Sequence, residues 1–257
     1  MTADNLFINP DLAPLLAGQD PFRFFAGLDG EVFRELEARR TYAATLAGRR
    51  YFIKYHRGTG AGEIIKNLLQ GRMPVVSAKN EWRALQRLQE LGVHVPTIAA
   101  YGKRGLLPQT CESFIVTEDV GTQLNLEDLT RDWATSAPSL ADKVALINAV
   151  ADISHTLHTH GICHRDFYIC HFLVQGQDLT LIDLHRALVK DNLGSRWIIK
   201  DVGSLYFSAM AIGLTGRDLL RFVRRYARTS VKEALRDNGT FWARVRARAS
   251  KLKARHG

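Results

Sequence analysis

The apolar pattern of this chain changes its period near residue 120, and that change limits the folds open to it. Before it, residues 31–56 carry three short runs, EVFRELEA, RTYAATL and RRYFIKYH, with Gly48 punctuating the last pair. Such runs read as strands joined by tight turns. GTGAG (58–62) reads as a loop and EIIKNLL (63–69) as a short helical run. A longer helix is expected from an N-cap at Ser77 through Leu91, stopped by Gly92 and then Pro96. Trp82, Leu85, Leu88 and Leu91 give it an apolar stripe. SFIVTEDV (113–120) is a buried-strand pattern running into a polar stop. After residue 120 the pattern is mostly helical, with SLADKVALINAVADISHTLHTHG (139–161) as its longest periodic segment. The exception is a small hairpin, HFLV (171–174) and LTLIDL (179–184) on either side of QGQD. Strands first and helices second predict an α+β chain in two parts, 1–120 and 121–257.

Composition removes several classes. With 257 residues, 46% of them hydrophobic, the chain can bury a sizeable core and does not read as disordered. Its three cysteines, Cys111, Cys163 and Cys170, are odd in number and make no disulfide framework, so a reducing cytoplasm is expected. No stretch approaches the ~18 apolar residues that span a bilayer. The start, MTADNLFINPDLAPLL, has no basic segment ahead of a clean apolar one, so no signal peptide is expected. The net charge of +9 is uneven. From Arg217 onward 13 Lys and Arg stand against 3 Asp and Glu, a net of +10, and the rest of the chain carries −1. Such a tail suits nucleic acid, an anionic membrane surface or an acidic protein, unless it is simply a solvated helix face.

The chemistry concentrates in HRDFYICHFLV (164–174) and LIDLH (181–185). His-Arg-Asp, a ligand type five residues on, a short hairpin and a second aspartate form the catalytic-loop layout of a protein-kinase-like fold. Phosphoryl transfer explains the spacing. One carboxylate, Asp166, must reach the acceptor hydroxyl, and a second, Asp183, must hold the Mg²⁺ that bridges the ATP phosphates. The tripeptide alone is weak, but LHTHG before it and IDLH after it make the set specific. Three further positions follow. Lys54, in FIK on an expected strand, can neutralise phosphate oxygens. Glu81 shares the core-facing stripe with Leu85 and Leu88, so its carboxylate needs a partner, and Lys54 is the candidate. The backbone of Glu118 and Val120, at the end of IVTEDV, is placed to serve adenine edges. Asp201, in DVGSL (201–205), is expected to accept bonds from the catalytic-loop backbone. GTGAGE lacks the spacing and the βαβ context of a dinucleotide site. The histidines 155, 158, 160, 164 and 171 with Cys163 and Cys170 form neither HExxH nor paired CxxC, so helix-surface, loop and core roles are expected ahead of zinc.

HRDFYICHFLV, EVFRELEARRT, YFIKYHRGTGAGEIIKNLLQGRMPV and KNEWRAL together resemble the lipopolysaccharide kinase (Kdo/WaaP) family, from about residue 20 to beyond 205. The resemblance implies a two-lobed kinase-like fold, with a β-rich N-lobe and a helical C-lobe. It also implies a Gram-negative cytoplasmic enzyme, peripheral at the inner membrane, that transfers phosphate from ATP to a heptose hydroxyl of the lipopolysaccharide inner core. By motif, Asp166 is the catalytic aspartate, Asp183 the Mg²⁺ ligand, and Lys54 with Glu81 the phosphate-positioning pair. Where kinases carry asparagine this chain has His171; the position implies a second metal ligand, but imidazole is a poor Mg²⁺ donor, so a phosphate contact or a loop-organising role is the alternative. DLH replaces DFG, no GxGxxG covers the phosphates, and only 18 positions separate Asp183 from Asp201. That leaves little room for a peptide-docking platform and favours a glycolipid acceptor. The family also resembles proteins that associate with acyl carrier protein, an acidic partner for the basic tail. There, Trp242, Val245, Ala249 and Leu252 alternate with Arg244, Arg246, Arg248 and Lys251, a pattern either for an anionic lipid surface or for a helix whose Trp242 and Val245 are core and whose arginines are solvated; nucleic acid is not expected. Two alternatives stay open: a kinase for Kdo or another core sugar, and a non-catalytic kinase-like scaffold that binds membrane or nucleic acid.

Overall fold

Strand-forming residues crowd the first part of the chain, and the computed structural model gathers them into one antiparallel sheet. It describes residues 6–36, 38–58, 77–107, 109–121, 123–176 and 178–256. The six strands are β1 (Leu6–Ile8), β2 (Glu31–Leu36), β3 (Arg39–Leu46), β4 (Arg49–His56), β5 (Ile98–Arg104) and β6 (Glu112–Glu118). Their order is β1-β5-β6-β4-β3-β2. The β3–β4 turn is Ala47-Gly48, both at positive φ (48° and 77°), the conformation that matches the twist of a two-residue hairpin. Alternation does the rest. Tyr42, Ala44 and Leu46 of β3 and Tyr51, Ile53 and Tyr55 of β4 are buried in one cluster. Phe22 and Phe25 of helix α1 (Pro21–Gly27) pack into the same cluster. With side chains alternating along a strand, Lys54 lies on the opposite face.

Helix α2 (Lys79–Glu90) starts two residues after Ser77. The Ser77 hydroxyl accepts weakly from the Lys79 amide at 3.4 Å, and the buried Ser113 hydroxyl of β6 accepts from the Ala78 amide at 3.0 Å. Gly92 ends the helix at φ 72°, with the Val93 amide donating to the Leu88 carbonyl at 2.9 Å. Leu85 and Leu88 are buried as expected. The loop positions 59–62 and the helical run at 63–69 lie outside the described residues.

The remaining elements are mostly helical. They are α3 (Leu140–Thr159), α4 (Ser195–Ser208), α5 (Gly216–Ala227) and α6 (Val231–His256). Two small ribbons accompany them: β7 (Ile162–Cys163) pairs with β10 (Leu188–Val189), and β8 (Phe172–Gln175) with β9 (Asp178–Leu181). Contacts divide the chain into Met1–Gln86 with Pro96–Gly121, and Arg87–Val95 with Thr122–Gly257. A mixed α and β chain, with its main sheet first and mostly helices after it, is what the pattern predicts.

In the basic tail the structure selects the core reading. Trp242, Val245 and Ala249 are buried, and the first two pack with Val202, Ile198 and Phe222 rather than offering an apolar face to lipid. Gly203 permits the close approach of α4 and α6, because a Cβ there would sit 2.9 Å from the Arg248 side chain. Apolar burial outweighs amphipathic display: the stripe is core, and what α6 leaves exposed is the charge of Arg244, Lys251 and their neighbours.

Candidate active site

The second unit brings Asp166, His171 and Asp183 together. Behind them Asp201, fully buried at the α4 stage of the chain, accepts from the His164 amide at 2.6 Å and the Arg165 amide at 2.8 Å. Burial pushes the Asp201 carboxyl up, yet the His158 imidazole 3.6 Å away and its other partners leave it below the usual carboxylate range. These bonds hold Arg165 at φ 72°, a left-handed conformation unusual for a residue with a side chain. Lys200 donates to the Arg165 carbonyl from α4. The loop carrying Asp166 is thus fixed from the inside, as the DVGSL motif predicts.

His171 Nδ1 lies 2.7 Å from the Asp166 carbonyl, which can only accept, so this nitrogen carries the proton. Its Nε2 then turns toward Asp183 Oδ2 at 3.6 Å. His185 Nδ1 donates to Asp183 Oδ1 at 2.6 Å. His164, wholly buried, donates from Nε2 to the Ile182 carbonyl at 2.9 Å and stacks on His171 with ring centroids 5.4 Å apart. Burial holds its pKa below the ordinary histidine value, which keeps this spacer neutral. Asp183, at φ 62° and ψ 50°, is also left-handed, and its carboxylate stays 36% exposed. Among the described residues no group of three His, Cys, Asp or Glu side chains is placed to hold a metal. Cys163 is core, its thiol pushed up by burial.

In the first unit, Lys54 Nζ donates to Glu81 Oε1 at 2.7 Å, with the two side chains 18% and 7% exposed. The other carboxylate oxygen of Glu81 is buried without a hydrogen bond among the described residues. Glu118 ends β6. Its amide donates to the Thr97 carbonyl at 2.9 Å, and its carboxylate lies 3.7 Å from Arg49. Val120 follows beyond the strand.

One participant has no place in the sequence reading. Arg186 Nη1 lies 3.0 and 3.1 Å from the two oxygens of Asp166. The signal was its position, a cation directly after LIDLH. Only the fold shows that the chain turns back there onto Asp166.

The second unit also holds an apolar cavity of about 520 Å³, lined by Leu126, Ile147, Val202, Leu205, Phe222 and Trp242 among others.

The chain is similar to known proteins over most of its length. The model of the lipopolysaccharide kinase (Kdo/WaaP) family matches residues 24–226. A lipopolysaccharide core heptose(I) kinase WaaP of Pseudomonas aeruginosa is 47% identical over 251 residues, 93% of this chain and 94% of the relative. One of Escherichia coli K12, of the same name, is 44% identical, covering 95% of each. A solved structure described as WaaP in complex with acyl carrier protein superposes with a TM-score of 0.84 at 42% identity, covering 96% of this chain and 98% of that one. Matched over most of its length in family model, sequence and structure, the chain belongs to the lipopolysaccharide kinase (Kdo/WaaP) family.

Proposed function

We propose that this kinase transfers the γ-phosphoryl group of ATP to a heptose hydroxyl of the lipopolysaccharide inner core, using a protein-kinase-like two-lobed fold. The observation that carries the reading is near-full-length identity of 44–47% to proteins named for that activity. In the β-rich lobe, Lys54, held by Glu81, contributes charge to the phosphate oxygens. A lysine so placed fits ATP because its acidic partner uses one oxygen on it and fixes its position. An adenine contact at Glu118 falls to its carbonyl, since its amide is spent on Thr97; Val120 supplies the next backbone groups.

In the helical lobe, Asp183 offers an exposed carboxylate. Among the described residues no group of three His, Cys, Asp or Glu side chains stands around it, so Asp183 would hold Mg²⁺ together with non-protein oxygens, as is usual for that ion. When bound, Mg²⁺ offsets the negative charge of the phosphates. His171 bonds the Asp166 backbone through Nδ1 and turns Nε2 toward Asp183, and it organises the loop better than it would hold Mg²⁺, because imidazole suits that ion poorly. Asp166 orients the sugar hydroxyl and accepts its proton. As the sugar oxygen bonds to Pγ, the bond from Pγ to the β,γ-bridging oxygen breaks and its electron pair leaves with ADP. Positioning and charge stabilisation supply most of the rate.

The acceptor is a lipid-anchored glycan, and no described helix is long and apolar enough to cross a membrane. We therefore place the enzyme in the cytoplasm at the inner face of the inner membrane, its exposed basic residues toward the anionic surface. An acyl carrier protein partner, as in the superposed WaaP complex, suits both that charge and the apolar cavity.

The test is phosphate transfer from labelled ATP and Mg²⁺ to unphosphorylated lipopolysaccharide acceptors ending at Kdo and at heptose. Transfer only when heptose is present is expected. Transfer to the Kdo-terminated acceptor overturns the substrate and keeps the chemistry. ATP binding without transfer to either favours a scaffold.

A further inference from the structure

The side chains around Asp166 carry more positive charge than the proposed chemistry has used. Arg165, Arg186 and Lys200 are mutually close. The Arg165 guanidinium reaches the Arg186 carbonyl at 3.5 Å, Lys200 Nζ donates to the Arg165 carbonyl, and Arg186 Nη1 bonds both oxygens of Asp166. Against these three cations stand two carboxylates, Asp166 and Asp201. Asp201 has both oxygens engaged by backbone amides. The cluster therefore holds a cation in excess, and part of it is out of water. Burial, with Arg186 beside it, lowers the basicity of Arg165, and burial does the same to Lys200. Packing like charges into a partly desolvated corner is unfavourable unless an anion completes it. The three differ in access. Arg165 is buried beneath Trp197, its guanidinium carbon 5.6 Å from the ring centroid, whereas the Arg186 side chain is 30% exposed. Of the donors on the Arg186 guanidinium, only those of Nη1 are engaged among the described residues.

We propose that Arg186, backed by Lys200, forms an anion subsite beside Asp166 that binds an acidic oxygen group during transfer. The proposal rests on the kinase reading of Asp166. Arg186 holds the Asp166 carboxylate in place before the acceptor arrives, and its unused donors take the anion when the hydroxyl claims one Asp166 oxygen. Two sources share this chemistry: the phosphoryl group in flight, and an acidic group of the acceptor next to the reacting sugar. A planar guanidinium suits either, because it can bind two oxygens at once.

The experiment compares wild type, Arg186→Gln, Arg186→Lys and Lys200→Gln in transfer to the heptose-terminated acceptor, in ATP hydrolysis without acceptor, and in inhibition by inorganic phosphate at constant ionic strength. Expected for Arg186→Gln is at least a tenfold fall in kcat/KM for acceptor, partial recovery in Arg186→Lys, and at least tenfold weaker inhibition by phosphate. A role confined to holding Asp166 leaves phosphate inhibition unchanged, and that result overturns the proposal. If kcat falls alike for transfer and hydrolysis, the anion is the phosphoryl group. If the acceptor KM rises, hydrolysis is unchanged and wild type suffers the same loss on an acceptor with esterified carboxylates, the anion is the acceptor's own. Should wild type fail to phosphorylate heptose, the kinase-substrate reading fails by itself. Thermal unfolding with and without inorganic phosphate then still tests the subsite, and a rise in midpoint in wild type equal to that in Arg186→Gln overturns it.

Discussion

Asp201 is fully buried and holds the backbone of the loop that carries Asp166. Removing it by Asp201→Ala strips partners from the buried amides of His164 and Arg165, a loss of about 2–4 kcal/mol. Denaturant unfolding measures that loss, and turnover should fall with it, since the loop carrying Asp166 is no longer held. The pH dependence has a definite sign. Folding lowers the Asp201 pKa below its ordinary 3.8, so its contribution is fully present above that value and drains away as pH falls through the lower folded value. The stability gap between wild type and Asp201→Asn should therefore be constant from pH 7 to about 5 and narrow below about 4; a gap that widens on acidification contradicts this. Asp166→Ala is expected to abolish turnover while nucleotide binding and fold persist, and activity within tenfold of wild type sinks the assignment of Asp166. Both residues were legible because HRD and DVGSL tie residue type to spacing. Arg186 was not, since a single arginine after a motif has no periodicity to mark it.

At the level of elements, local chemistry predicts the hairpins and the long helices well. The β3–β4 and β8–β9 hairpins follow from turn residues between alternating runs. The strand β5 escaped the sequence reading. Its IAAYG stretch has no alternation and is rich in residues of low strand propensity, yet Ile98 to Tyr101 are all buried, held by pairing with β6 and β1. Helix α6 fails in the opposite sense. Its pattern was visible, but the partner of its apolar stripe was not, and that partner is α4 and α5 rather than lipid. Trp242→Ala should therefore cost about 3–5 kcal/mol in unfolding experiments. Arg244→Gln, on the exposed side, should leave stability unchanged within about 0.5 kcal/mol. Equal losses in the two variants would return the stripe to the surface.

Over the whole molecule, the asymmetry of charge is the property with a measurable consequence. From Arg217 onward the net charge is +10, and Arg244 and Lys251 are exposed while Trp242, Val245 and Ala249 are buried, so any attraction of this segment to an anionic surface is expected to be electrostatic. Binding to vesicles containing anionic lipid should weaken steeply between 50 and 300 mM salt, as the Debye length falls from ~14 Å to ~6 Å. Neutral vesicles should not bind. Salt-insensitive binding would point instead to an inserted apolar face.

The sequence by itself determined a mixed order of strands and then helices, the pairing of Lys54 with Glu81 and the bonds from Asp201 to the loop that carries Asp166. Each of these depends on spacing within a segment or on a motif that repeats a fixed local geometry. The tertiary structure alone decided that His171 bonds the Asp166 carbonyl, that Arg186 returns to grip Asp166, and that the tail's apolar stripe is core. Those outcomes depend on which distant segments meet. Chain entropy leaves such meetings open until the packed core selects one arrangement.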